Sequence, residues 1–200
     1  TTTDQLGRVT AYTYDLAGRR TLTLRPDGSQ IANQYDADGR LTQTRLIGAP
    51  PDTNLVHLTT FQYDAAGNRT ATTRDPAGLN LVTRYEYDAA NRRTKAISPA
   101  GVPSTTTYDK VGRVLTTVAN GVTTTRTYNT SGWLETVSNG LTTSTYEYDH
   151  VGNRTRMTVS GRAPVDYEYD ANNNLIATAQ TDGTTLVRTQ RTYTPVDRLH

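Results

Sequence analysis

The chain has 200 residues, 34% of them hydrophobic, with 21 basic against 19 acidic side chains and a net charge of +2. So low an apolar fraction, against the roughly 45–50% of globular chains, argues against a large buried core, and the near balance of charge gives no global pull towards nucleic acid or a membrane surface. Cysteine is absent, which removes disulfide and thiolate chemistry, and no segment reads as a membrane span or a signal peptide.

The aromatic residues are lopsided: 13 Tyr, one Phe and one Trp, while about one residue in five is Thr. Both Tyr and Thr favour pleated, half-buried surfaces. In chain order, an incomplete first copy of a repeat carries Thr3 where later copies have tyrosine, followed by Asp4 and Gly7. Tyr14-Asp15 with Gly18 and Tyr35-Asp36 with Gly39 come next. The interval to the following copy swells to 28 residues and contains Gly48-Ala49-Pro50-Pro51-Asp52. Two successive prolines cannot sit inside a paired strand, so an exposed inserted loop is predicted near residues 46–56. Tyr63-Asp64 with Gly67 resumes the pattern, Tyr87-Asp88 carries Asn91 in the glycine place, and Tyr108-Asp109 carries Gly112. Tyr128 is followed by Asn129 and Gly132, Tyr148-Asp149 by Gly152, and Tyr169-Asp170 by Asn173. Tyr193 opens a last copy in which Thr194 replaces the aspartate.

The other aromatic positions are equally regular. Tyr12, Phe61, Tyr85, Tyr146 and Tyr167 each stand two residues before a repeat tyrosine, and positions two apart on a strand share a face. The segment before each Asp is therefore predicted to be a strand with one aromatic face. Asp at the first and Gly at the fourth place suit a type I turn, with the Asp side chain capping backbone amides and the Gly or Asn in the left-handed conformation. This is a three-residue hairpin loop with a glycine bulge. In that register each tyrosine faces the residue two after the glycine: Arg20, Leu41, Arg69, Arg93, Val114, Leu134, Arg154, Leu175 and Leu199. Aliphatic partners would pack on the ring and arginines stack on it, at roughly 0.2–1 kcal/mol a pair.

A second turn signal follows each hairpin, as at Pro26-Asp27-Gly28, Pro76-Ala77-Gly78, Pro99-Ala100-Gly101, Asn120-Gly121, Asn139-Gly140, Ser160-Gly161 and Asp182-Gly183. Two turns in a period of about 21 residues leave two short strands, so the fold class is all-β: tandem antiparallel hairpins over residues 1–200, in about nine copies, with no helix of useful length. The pattern is already running at Thr3 and still running at Tyr193, so a piece of a longer protein is expected.

Stretches such as Tyr63-Asp-Ala-Ala-Gly-Asn-Arg-Thr70 and Tyr14-Asp-Leu-Ala-Gly-Arg-Arg-Thr21 resemble the Rhs/YD-repeat family, which includes bacterial polymorphic toxins, the shell-forming component of Tc toxins, and teneurins. The resemblance implies a curved, spiralling sheet of stacked hairpins that forms a hollow shell, which in the toxins encloses a C-terminal toxin domain. It also implies a bacterial, secreted or cell-surface protein whose partners are the rest of the shell and its cargo. The family's self-cleavage region is marked by Asp-Pro-x-Gly with further glycines. Asp75-Pro76-Ala77-Gly78 matches the first part, but it falls in register with a second turn and no glycine cluster follows.

No catalytic site emerges from the residues. The aspartates recur in equivalent turns, whereas acid–base pairs need two carboxylates in different environments. His57, His150 and His200 are scattered without metal-ligand spacing, and no phosphate-binding loop is present, so no metal or other cofactor is expected. Many arginines are claimed by tyrosines, which argues against nucleic-acid binding. Trp133 directly follows Gly132; its parity is opposite to the tyrosine ladder, which would place it on the other surface, where it either fills the space between neighbouring hairpins or stacks on a sugar ring. Two functions stand: a wall segment for encapsulation, and a module that binds a cell-surface glycan or protein. About 18 strands at 4.8 Å would close into a tube only about 28 Å across, too narrow for a 100-residue domain about 34 Å wide. The segment alone is thus expected to enclose nothing and, with open strand edges, to self-associate.

Overall fold

The computed structural model describes residues 1–52 and 56–193. Thr194, Leu199 and His200, which belong to the last copy and the chain end, lie outside the described residues. All secondary structure among those described is strand, in antiparallel pairs. The chain divides into two compact units, Thr1–Ser104 and Thr105–His200.

In the first unit β1 (Thr2–Thr3), β2 (Val9–Tyr14), β3 (Arg20–Leu24), β4 (Gln30–Tyr35), β5 (Leu41–Ile47), β6 (Val56–Tyr63), β7 (Arg69–Arg74), β8 (Leu81–Tyr87) and β9 (Arg93–Ile97) follow one another as a meander. The second unit, which takes in β10 (Pro103–Tyr108) from Thr105 onward, runs likewise through β11 (Val114–Ala119), β12 (Val122–Tyr128), β13 (Leu134–Ser138), β14 (Thr143–Tyr148), β15 (Arg154–Val159), β16 (Val165–Tyr169) and β17 (Leu175–Asp182) to β18 (Thr185–Gln190). Every strand that ends in a repeat tyrosine is followed by the Asp turn, or at Tyr128 by its Asn129 counterpart, and that turn sets the register. Tyr14 faces Arg20, Tyr35 faces Leu41 and Tyr63 faces Arg69. Tyr148 faces Arg154 and Tyr169 faces Leu175.

Each hairpin whose first strand ends in a repeat tyrosine also carries a second irregularity that nothing in the residue pattern announces. Thr13 faces Leu22 while Tyr14 faces Arg20, so Thr21 has no opposite number. The same one-residue slip falls at Thr42, Thr70 and Thr94 in the first unit and at Leu115, Glu135, Thr155 and Ile176 in the second. A bulge interrupts the ladder and increases local twist. Thr42 and Thr94 donate their hydroxyls to the carbonyls of Gln34 and Glu86 across the bulge (3.2 and 3.3 Å).

The sheets are a single layer, and burial is correspondingly thin. Among the described residues Ala71 and Ala177 are the only buried hydrophobic side chains, and no large side chain is fully buried. Most domains bury an element's apolar face against a second layer. Here stability must come instead from each hairpin's packing on the next, the nearest-neighbour regime of repeat proteins.

Two connections differ from the sequence reading. Leu46, Ile47 and Val56 are in strands, with Ile47 facing Val56, so the inserted loop is shorter than residues 46–56. The cause is apolar pairing at its base, which carries β5 and β6 further than the prolines suggest. The segment after β7 is a six-residue connection closed on Asp75, whose carbonyl accepts the amides of Gly78 and Asn80 (3.1 and 2.8 Å). Asp75 Oδ2 accepts the Leu79 amide at 2.8 Å. The Asp75 carboxylate therefore caps its own loop.

Candidate functional site

The repeated Asp turn is a closed polar unit. At Asp15 the backbone forms the predicted pair of bonds: the Gly18 amide donates to the Asp15 carbonyl and the Asp15 amide to the Arg19 carbonyl, both at 3.0 Å. Asp15 Oδ1 accepts the Ala17 and Arg19 amides (3.0 and 2.9 Å), and Oδ2 accepts Arg19 Nε at 2.7 Å. Asp36–Arg40, Asp88–Arg92 and Asp109–Arg113 repeat the ion pair. Asn68, Asn153 and Asn174 replace the arginine beside Asp64, Asp149 and Asp170. In the uncharged copy Asn129 Oδ1 accepts the backbone amide of Trp133, at 3.0 Å. The fourth turn residue is left-handed throughout, from Gly18 at φ 76° and Gly39 at 82° to Gly67 at 86°, Gly112 at 92°, Gly132 at 87° and Gly152 at 100°. Asn91 and Asn173 take the same conformation at 60° and 64°.

These bonds hold the turn carboxyls below their ordinary value of 3.8. At Asp15, Asp88 and Asp170 the leading cause is the backbone amide of Arg19, Arg92 and Asn174. At Asp36, Asp64, Asp109 and Asp149 partial desolvation pulls upward but is outweighed by the side-chain and backbone donors of Arg40, Asn68, Arg113 and Asn153. The unfolded chain binds protons first, so acid favours it. The stabilisation is complete above 3.8 and is lost as pH falls through the lower native values. The melting temperature is expected to be level from neutral pH down to about 4 and to fall steadily below it. A decline already under way at pH 6 would contradict the assignment.

The tyrosines link one hairpin to the one before it. Tyr35, Tyr63 and Tyr87 donate their hydroxyls to the carbonyls of Arg20, Leu41 and Arg69 (3.0, 2.8 and 2.9 Å). In the second unit Tyr128, Tyr148, Tyr169 and Tyr193 donate to Val114, Leu134, Arg154 and Leu175 (2.9, 2.8, 3.1 and 3.0 Å). Each acceptor is the residue that faces the preceding tyrosine and directly precedes the bulge. Tyr14, in the first full hairpin, is 58% exposed and makes no such bond among the described residues.

Ring stacking is arranged differently from the expectation. The arginine that faces a repeat tyrosine does not cover it: Arg20 lies over Tyr12, Arg93 over Tyr85, Arg69 over Phe61 and Tyr85, and Arg154 over Tyr146 and Tyr167, at 4.4–5.7 Å. The long side chain leans along the strand and reaches the diagonal neighbour. The repeat tyrosines are covered by the turn arginine of the preceding hairpin, Arg19 on Tyr35, Arg40 on Tyr63 and Arg113 on Tyr128 (5.0, 5.2 and 4.5 Å). Trp133 occupies that same place. Its ring is tilted 46° against Tyr148 with centroids 5.3 Å apart, so it lies with the tyrosines and not on the opposite surface. Strict alternation does not hold at a bulge, so parity does not carry across Gly132.

Among the described residues no group of three or more His, Asp or Glu is placed to hold a metal ion, and no helix is long and apolar enough to cross a membrane. The turn aspartates sit in equivalent environments, each engaged by its own loop.

The RHS Repeat family profile matches residues 1–30, 35–79 and 74–103. No curated protein sequence matches the chain. Similar solved structures include the crystal structure of TcdB2-TccC3-TEV, 17% identical, with a TM-score of 0.76 over 95% of this chain and 11% of that one. They also include TcdB2-TccC3 without its hypervariable C-terminal region, 15% identical with a TM-score of 0.58 over 95% of this chain and 12% of that one. The Photorhabdus luminescens Tc holotoxin pore is 16% identical, with a TM-score of 0.58 over 95% and 14%. The chain thus spans between 11% and 14% of the length of these structures, and at such identities the likeness is one of fold. The Asp turn, the left-handed fourth residue, the bulge and the tyrosine link recur in both units. By its repeats and its fold the chain belongs to the RHS-repeat family.

Proposed function

We propose that this chain is a structural scaffold: a wall segment of a YD-repeat shell that, in a longer parent protein, encloses a C-terminal toxin or effector domain. The observation that carries the reading is that the motif faces inward on the array itself. Tyr63, for example, is bonded to Leu41 of the preceding hairpin and covered by Arg40, and Asp64 is bonded to Asn68 of its own turn. Residues arranged in this way build a wall of any length and leave no reacting group over, so a catalytic role is not proposed. Likeness in fold to the Tc structures, one of which is described as lacking a hypervariable C-terminal region, supports the shell and suggests a separate cargo region.

On this reading residues 1–200 are one tandem array with a loop inserted after Ile47. The parent is bacterial and secreted or on the cell surface, and its partners are the remainder of the wall and the enclosed domain. A binding alternative would rest on Trp133 or on the inserted loop near residues 46–56, and Trp133 is half-buried against Tyr148. Limited proteolysis of the full-length parent tests the proposal. The C-terminal region is expected to survive within the parent under conditions that degrade the same region expressed alone. Equal rates of cleavage would overturn encapsulation and put surface binding in its place.

A further inference from the structure

Two positions on the turn edge co-vary between neighbouring hairpins. One is the residue after the left-handed position of one turn; the other is the left-handed residue of the next turn. Where the first is large and flat, the second is glycine. A Cβ at Gly132 would stand 3.1 Å from Arg113 Nη1, and one at Gly152 would stand 3.0 Å from Trp133 Cζ2. At Gly39 the guanidinium of Arg19 is 3.6 Å away, with Nη1 bonded to the Asp36 carbonyl at 3.0 Å. Space at Gly18 and Gly67 is open. In the sequence, however, their predecessors Arg8 and Arg40, and Arg92 before Gly112, keep to the same pairing.

Where the first residue is asparagine, the second is never glycine. Asn68 Nδ2 donates to Asn91 Oδ1 at 2.7 Å, and Asn153 Nδ2 donates to Asn173 Oδ1 at 2.8 Å. The third such asparagine, Asn174, is followed in the sequence by Asp197 at this phase. Asparagine tolerates the left-handed conformation better than other residues with a side chain, but glycine adopts it with less strain. At Asn91 and Asn173 the side chain gains a cross-hairpin amide bond that glycine could not make.

We infer that the turn edge is a recognition surface between consecutive hairpins, which fits a next hairpin of one of two kinds. At Gly132 and Gly152 a guanidinium or an indole lies across the next turn, too close for a Cβ to stand there without displacing it. An asparagine leaves room for, and bonds to, a second short polar side chain. Hairpins are therefore not interchangeable along the array: the two positions form one unit, and the order of the repeats is written into it.

Two double-mutant cycles in the 200-residue chain test this, read as melting temperatures. In the first, Gly132→Asn is made with Arg113 present and with Arg113→Asn. The loss caused by Gly132→Asn is expected to shrink by about 2–4 °C in the second background. In the reverse cycle, Asn153→Arg is expected to lower the melting temperature beside Asn173 and to be close to neutral in Asn173→Gly. If Gly132→Asn leaves no cooperative transition, Gly132→Ala takes its place, and the reverse cycle stands by itself. Additive shifts in either cycle overturn the inference.

Discussion

Tyr148→Ala is expected to lower the unfolding free energy by about 3 kcal/mol, within the range for loss of a large packed aromatic side chain. The ring is stacked on Trp133, and the hydroxyl donates to the Leu134 carbonyl at 2.8 Å. Burial raises the phenol's pKa, which marks it as a group held partly out of water. Tyr148→Phe keeps the ring and loses only the hydroxyl, so about 1 kcal/mol is expected. Tyr14 provides the comparison. It is exposed, with no hydroxyl link to an earlier hairpin among the described residues, and Tyr14→Ala should stay within about 0.5 kcal/mol, as surface changes do. Urea titrations of the three variants measure this. Equal costs for Tyr14→Ala and Tyr148→Ala would show that the ladder is not what holds the hairpins together.

The second large effect is at Gly152. Its φ of 100° is a conformation that a β-branched residue resists, and a Cβ there would come within 3.0 Å of Trp133 Cζ2. Gly140, at φ 84°, has nothing within 4 Å of the same point. Gly140→Val therefore reports backbone strain alone, about 2 kcal/mol. Gly152→Val carries the strain and the displaced indole together, and about 4 kcal/mol is expected. Near-UV circular dichroism should change with Gly152→Val, because Trp133 must move, and remain as in the parent chain with Gly140→Val. If both variants melt alike, Trp133 is not packed on the turn.

Much of this arrangement is legible in residue types. Asp at the first and glycine at the fourth place of a short loop leave few backbone solutions, and with the loop settled the pairing of Tyr63 with Arg69 follows. What escapes does so for physical reasons. The bulge residues Thr21, Thr42 and Thr70 look like any other strand threonine, because a bulge depends on how two backbones meet and not on a side chain. The arginine stacking differs from the expectation by one diagonal, since backbone register does not reveal where a long, flexible stem will lean. Trp133 lies on the tyrosine surface because Gly132 breaks the alternation on which parity depends. The ends of the inserted loop are blurred because Leu46, Ile47 and Val56 carry no turn signal. Their pairing is a matter of what lies opposite.

The seven tyrosine–carbonyl links described above all point the same way along the chain: the hydroxyl of a later hairpin meets a carbonyl of an earlier one. A ribosome delivers hairpins in that order, at about 5–20 residues per second, so that one repeat emerges every few seconds. The acceptor, the bulge beside it and the covering arginine or tryptophan are thus in place before the donor arrives. Growth from the N-terminal end would then add each tyrosine to an acceptor already made, although the outer strand of a hairpin, such as β3, still gains its pairing only from the next one. A circular permutant would reverse that order of arrival only where its original ends are joined, while keeping most of the same interactions. The tyrosine links thus give the array a polarity, with acceptors at the side nearer the N-terminus and donors at the side nearer the C-terminus.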